Sequence, residues 1–214
     1  MQEIHLALEA MTLGGPMVYL LLLLAILAAV VILDKAFVYW RHARLPRPML
    51  ELVETYDFSW SDLEQQLRGL DPRNYFQRFF RDVMDNRGNP VWFVESRAGD
   101  EAQLIENALS RGLWVLETIV TAAPLLGLLG TIIGMMHSFK LIGNKGLVDP
   151  TGVTGGVAQA LIATALGLFI ALIALFAFNF FSRQQSQVLD EMERLGTRLV
   201  DNIRMSEVSQ EVHP

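Results

Sequence analysis

The chain has 214 residues, 52% of them hydrophobic, a formal net charge of -6 and no cysteine. Apolar runs near the roughly 20 residues needed to cross a bilayer exclude an ordinary soluble fold. Without cysteine there are no disulfides and no thiolate chemistry. The length leaves room for three spans and one modest polar portion, too little for a large membrane enzyme with a separate catalytic domain.

Residues 1–15 carry no lysine or arginine, and the first apolar run follows from Pro16 to Leu33. Lys35, Arg41, Arg44 and Arg47 come after it, the reverse of a secretory signal. The run is therefore expected to remain as a first span over 16–40, with its C-terminal end cytoplasmic and the N-terminus outside. Tyr39 and Trp40 fall where an interfacial aromatic belt would lie. Arg41 and Arg44, beside the span, are candidates for holding anionic lipid head groups.

From 41 to 111 the chain is polar, and helical signals recur. Ser61-Asp62-Leu63-Glu64 fits a capping box and Asp71-Pro72 an N-cap with proline at the first helical position. Arg87-Gly88-Asn89-Pro90 fits a stop followed by a restart. The restarted helix is expected to run through Glu101 and Arg111 into the second span without a break. Trp60, Phe76, Phe79, Phe80, Trp92 and Phe93 are expected mostly to form the core of a helical bundle.

The second span is placed at 112–139, a short external loop with turn chemistry at 140–152, and the third span at 153–181. Residues 182–214 form a C-terminal helix and tail, in which Val188, Met192, Leu195, Leu199 and Ile203 make an amphipathic stripe. The last residues, from Ser206 to Pro214, are expected to fray.

Inside the spans, helix association relies on close packing, so small residues three to four apart mark contact faces. Gly127, Gly130 and Gly134 make such a face on the second span, and Ala160, Thr164, Gly167 and Ala171 on the third. Thr131, Gln159 and Thr164 add polarity, although a threonine in a span often satisfies its hydroxyl on its own helix. Gln159 with Thr164 is expected to form a polar stripe opposite Thr131. No titratable group lies deep in a span: Asp34 and Glu117 are near the cytoplasmic ends and His137 near the external end. If the bundle moves protons, the intramembrane carboxylate must come from another protein.

Thr121 to Phe139 with Gly155 to Asn179 resembles the core of the ExbB/TolQ/MotA proton-channel family. The resemblance rests on the glycine spacing, Pro124, the two threonines and the terminal Asn179 and Arg183. It is nearest to the short ExbB-like proteins of second TonB systems. It implies an all-α integral membrane protein with three transmembrane helices, long cytoplasmic helical extensions, a periplasmic N-terminus and a cytoplasmic C-terminus. It further implies a homo-pentamer in the bacterial inner membrane whose central lumen holds the helices of an ExbD-like dimer, with work passed to a TonB-like protein. Thr131 and Thr164 would line the ion path beside the partner's aspartate, and Gln159 is placed on the same path, where it would hold water or orient that aspartate by hydrogen bonding. Pro124, Gly127, Gly130, Gly134 and Gly167 would pack the helices, and Asn179 and Arg183 would mark the cytoplasmic exit. Many family members carry glutamate where this chain has Gln159, which cannot titrate in the usable range; hydroxyls and carbonyls suit sodium as well as water.

Two other functions fit the residues: a TolQ-like subunit for envelope constriction, or a non-conducting membrane scaffold whose polar seam fixes helix register. The pattern points away from an enzyme and calls for no cofactor. His5, His42, His137 and His213 show no metal-ligand spacing, and Gly152 to Gly156 lacks the lysine and strand-to-helix setting of a phosphate loop. The arginines alternate with acids such as Asp82, Asp85 and Glu95, a solvated face rather than a nucleic-acid track.

Overall fold

A computed structural model describes residues 16–44, 50, 52–53, 59–143 and 150–212. Among the described residues are the helices α1 (Pro16–His42), α2 (Trp60–Arg68), α3 (Tyr75–Asn86), α4 (Val91–Ser110), α5 (Leu113–Gly143) and α6 (Pro150–Val212). No strand occurs among the described residues. Three of the helices, α1, α5 and α6, contain stretches long and apolar enough to cross a membrane. Residues 1–15, 45–49 and 144–149, with the expected N-terminal segment, Arg47 and most of the external loop, lie outside the described residues, as does His213.

The chain divides into two compact units, one of Met1–Leu33 with Gly112–Phe180, the other of Asp34–Arg111 with Phe181–Pro214. In the first, α5 packs on both other helices. At Gly130 an added Cβ would lie 3.5 Å from Met17 Cβ of α1 and 2.7 Å from Ala163 Cβ of α6. Val18, Leu21 and Ala28 are the buried residues of α1 here, whereas Leu23, Ile26, Val30 and Leu33 are exposed. Such a surface is stable against lipid tails rather than water.

The second unit is an ordinary helical core. Phe76, Phe79, Phe80 and Val83 line one face of α3, Val94, Ile105 and Leu109 one face of α4, and all are buried. The stripe predicted on α6 packs as expected: Val188, Met192, Leu195, Leu199 and Ile203 are all buried. Trp92 departs from expectation, being 69% exposed, because it follows the α4 cap at Pro90 on the face away from Val94. Trp60 and Phe93 are half-buried, and Trp60 lies under the Arg87 guanidinium at 5.6 Å.

Two helix starts differ from the local signals. The α2 cap is Ser59, whose hydroxyl accepts from Ser61 N–H, so the cap precedes Ser61 by two residues. The α3 cap is Asn74, with Oδ1 accepting from Phe76 and Gln77 N–H; Asp71 instead closes a turn by accepting from Arg73 N–H. Asn74 prevails because its Nδ2 also donates to the Arg44 carbonyl at 2.9 Å, a tertiary bond no local pattern shows. The stop and restart at Arg87 to Pro90 forms as expected.

The expected continuous helix through Arg111 is broken. α4 ends at Ser110, and Gly112 adopts φ +88° before α5 begins, a conformation that strains any residue with a Cβ. The buried Lys35 ties this corner, its Nζ donating to the Leu109 carbonyl at 2.8 Å. That carbonyl belongs to the last turn of α4, where helical acceptors lack partners. Nor does the chain fray at Ser206: the helix continues to Val212. α5 likewise extends to Gly143 and α6 starts at Pro150, within the expected loop. Arg68 donates to Glu64 at 2.7 Å, and this bond holds the exposed Glu64 carboxyl below its usual range. Burial pushes the Tyr75 phenol upward.

Candidate functional site: the α5–α6 seam

The seam is built from glycines that let two backbones meet. An added Cβ at Gly127 would lie 3.0 Å from the Thr164 Cα, one at Gly134 2.9 Å from Ala160 Cβ, and one at Gly167 2.5 Å from the Ala123 carbonyl oxygen. Pairing Gly127 with Gly167, Gly130 with Ala163 and Gly134 with Ala160 makes the helices antiparallel, and every one of the proposed packing glycines is in the contact. Pro124 sits inside α5, where it offers no N–H to the Val120 carbonyl.

Thr131 and Thr164 are each one residue beyond the Gly130–Ala163 contact. One step turns a helix by about 100°, and in antiparallel neighbours both steps turn to the same flank. The two threonines therefore share a level and a side. Thr164 Oγ1 donates across the seam to the Gly127 carbonyl at 3.0 Å, and Thr131 Oγ1 donates to the Leu128 carbonyl at 2.7 Å. Both hydroxyl protons are thus committed to adjacent carbonyls of α5. What remains on each oxygen is acceptor capacity, suited to a protonated carboxyl group, a water molecule or a small cation.

Gln159 is not brought to this flank. It precedes Ala163 by four residues, which turns it the opposite way and about 140° from Thr164; it is half-buried. The expected stripe of Gln159 with Thr164 is therefore split between two sides of α6. Asn179 and Arg183 are both exposed, one turn apart on α6. In the second unit, Arg41 is exposed and 4.0 Å from Asp71, and exposed Arg44 contributes its carbonyl to Asn74.

Other hydroxyls of α5 escaped the sequence reading. Thr118 donates to Trp114 O at 2.8 Å and Thr121 to Thr118 O at 2.9 Å, both exposed on an apolar helix beside Glu117. Ser138, buried, donates to Gly134 O at 3.0 Å, and an added Cβ at Gly156 would collide with its hydroxyl. The signal for Ser138 was its position one turn beyond Gly134, in line with the packing glycines. Among the described residues no group of three or more His, Asp or Glu could hold a metal ion.

Residues 72–194, more than half of the chain, match the model of the MotA/TolQ/ExbB proton channel family. The chain belongs to this family. Among relatives, the chain is 42% identical over 93 residues to a biopolymer transport protein ExbB of Xanthomonas campestris pv. campestris, covering 44% of this chain and 37% of that one. To the ExbB of Aquifex aeolicus it is 39% identical over 95 residues, 44% of this chain and 64% of the relative. Similarity to a putative biopolymer transport protein, ExbB-like 3, of Synechocystis is longer: 30% identity over 175 residues, 78% of this chain and 81% of the relative. The chain thus spans just over a third of the Xanthomonas protein's length and most of the Synechocystis one. Family membership and three apolar helices make it a multi-pass membrane protein of a proton-channel family.

Proposed function

We propose that this chain is an ExbB-like channel subunit of a bacterial inner-membrane complex that uses the proton-motive force to energise outer-membrane import. The reading places five copies around a lumen that holds the helices of an ExbD-like dimer, and a TonB-like protein takes up the work. The N-terminus is periplasmic, and the α2–α4 region and the end of α6 are cytoplasmic, because Lys35, Arg41 and Arg44 follow the first apolar run, Pro16 to Leu33. Asn179 and Arg183 lie at the cytoplasmic exit, and Arg41 and Arg44 meet anionic head groups.

The observation that carries the reading is the Thr131–Thr164 flank. Its two hydroxyl oxygens are left as acceptors at one level of a helix pair whose middle holds no carboxylate. A partner's aspartic acid, neutral when protonated, would donate to these oxygens, and the released carboxylate would lose them as partners; that difference ties protonation to position. Gln159, on the other side of α6, acts through packing or orientation rather than in the path. The ExbB names of the relatives favour import over constriction.

A second reading draws on the Thr164–Gly127 bond. A hydroxyl that ties two helices across their contact is what a non-conducting scaffold needs to fix register. Growth of a strain lacking this chain on a siderophore-bound iron source separates the two when it is complemented with Thr131→Val. That substitution keeps the shape and leaves the interhelical bond intact. The channel reading expects growth to fall at least about tenfold, and the scaffold reading expects growth like that of the unmodified chain.

A further inference from the structure

A groove of about 490 Å³ runs between α4 and α6 in the second unit. Its floor is apolar, made by Phe79, Ala98, Ala102, Met192 and Val200. Its rim is acidic: Glu95 and Glu106 on α4, Glu193 and Asp201 on α6. Among the described residues Arg204 is the single cation lining it, and it is held at 2.9 Å from Glu95 and 3.1 Å from Asp201. Among the described residues Glu106 receives a neutral donor, Gln103 Nε2 at 3.0 Å, and no cation. The rim thus keeps a surplus of negative charge above a greasy floor.

Two glycines line the groove for different reasons. Gly196 is required by internal packing, since an added Cβ would come 2.8 Å from Phe79 Cζ. Gly99 is not, because an added Cβ there meets nothing within 4 Å. Glycine inside a helix costs about 1 kcal/mol relative to alanine, and the chain's own packing at Gly99 returns nothing for it. A glycine with open space on the wall of a groove suits the close approach of another backbone.

We infer that this groove docks a basic amphipathic helical segment of a protein partner. The segment's backbone passes Gly99, its apolar side chains rest on Phe79, Met192 and Val200, and its lysines or arginines lie along the carboxylate rim. This is helix-in-groove recognition with charge setting the choice of partner. The acidic rim repels an anionic lipid surface and the same face of a second copy, while a ring neighbour presenting a different face is the competing occupant that the oligomer-size readout below tests.

The test uses the full chain in phosphatidylcholine nanodiscs, with empty nanodiscs as the blank. It is titrated with a fluorescent synthetic helix carrying leucine at i, i+3, i+4 and i+7 and lysine elsewhere, and with the same pattern carrying glutamate. Saturable one-to-one binding is expected for the lysine peptide alone, weakening about tenfold as salt rises from about 0.05 to 0.5 M. Gly99→Leu fills open space without displacing a neighbour and is expected to abolish binding. The pair Glu106→Gln with Glu193→Gln is expected to weaken it about fivefold, with helicity by circular dichroism unchanged in both. Equal binding of both peptides, or lysine-peptide binding indifferent to Gly99→Leu, would overturn the inference. A change of oligomer size in Gly99→Leu without any peptide binding would give the groove to a second copy and overturn it as well. No ion gradient is involved, so the outcome is independent of conduction.

Discussion

At the scale of single residues, polar groups in apolar surroundings are the ones that decide geometry. Lys35 is 2% exposed and holds the Leu109 carbonyl. Lys35→Met keeps the volume and orphans that acceptor, and is expected to cost about 1–3 kcal/mol, read as a lower denaturation midpoint in detergent. Tyr75 gives a pH dependence. Burial raises its phenol above the unfolded value, so its contribution is complete below about pH 10 and is lost as pH rises through the folded value. Tyr75→Phe is expected to remove that part of the alkaline loss of stability, measured as the midpoint against pH. These residues also show where local reading stops. Ser59 and Ser61 are equivalent cap candidates by type, and Asp71 competes with Asn74; only the bond from Asn74 to Arg44, 30 positions away, separates the second pair. Thr131 and Thr164 were legible as a pair because each neighbours a small residue of the contact stripe. The side taken by Gln159 was not, because it depends on which face of α6 meets α5.

At the scale of helices, the α5–α6 contact depends on the absence of side chains. Gly167→Ala drives a Cβ toward the Ala123 carbonyl, at 2.5 Å before relaxation, and is expected to destabilise by about 1–3 kcal/mol. Gly155→Ala on the same helix meets nothing within 4 Å and is expected to be neutral or slightly stabilising. Thermal melts of the two purified variants side by side check this contrast. Gly112→Ala isolates the backbone term at the α4–α5 corner. With Val31 Cγ1 no nearer than 3.9 Å, the expected loss of about 1–2 kcal/mol comes from φ alone. The three long apolar helices and the α6 stripe were legible because composition and period survive any tertiary arrangement. The corner at Gly112 was not, since helical signals continue on both sides of it and a positive φ leaves no mark on hydropathy.

At the scale of the whole molecule, one chain exposes more apolar surface than water tolerates. Leu125, Leu128, Leu161, Phe169 and Phe176 are all open, and lipid or neighbouring chains must cover them. The threonine flank is half-open within the single chain, and on the proposed reading further copies and a carboxylate-bearing helix complete it. The decisive measurement is proton and sodium flux into proteoliposomes holding this chain co-purified with the ExbD-like partner proposed for it. The unmodified complex is compared with Thr131→Val, Thr164→Val and Gln159→Glu under each gradient in turn. The account predicts gradient-driven flux of one ion, lost in both valine variants and retained in Gln159→Glu. Flux unchanged in Thr131→Val and Thr164→Val, or none from the unmodified complex under either gradient, would contradict it.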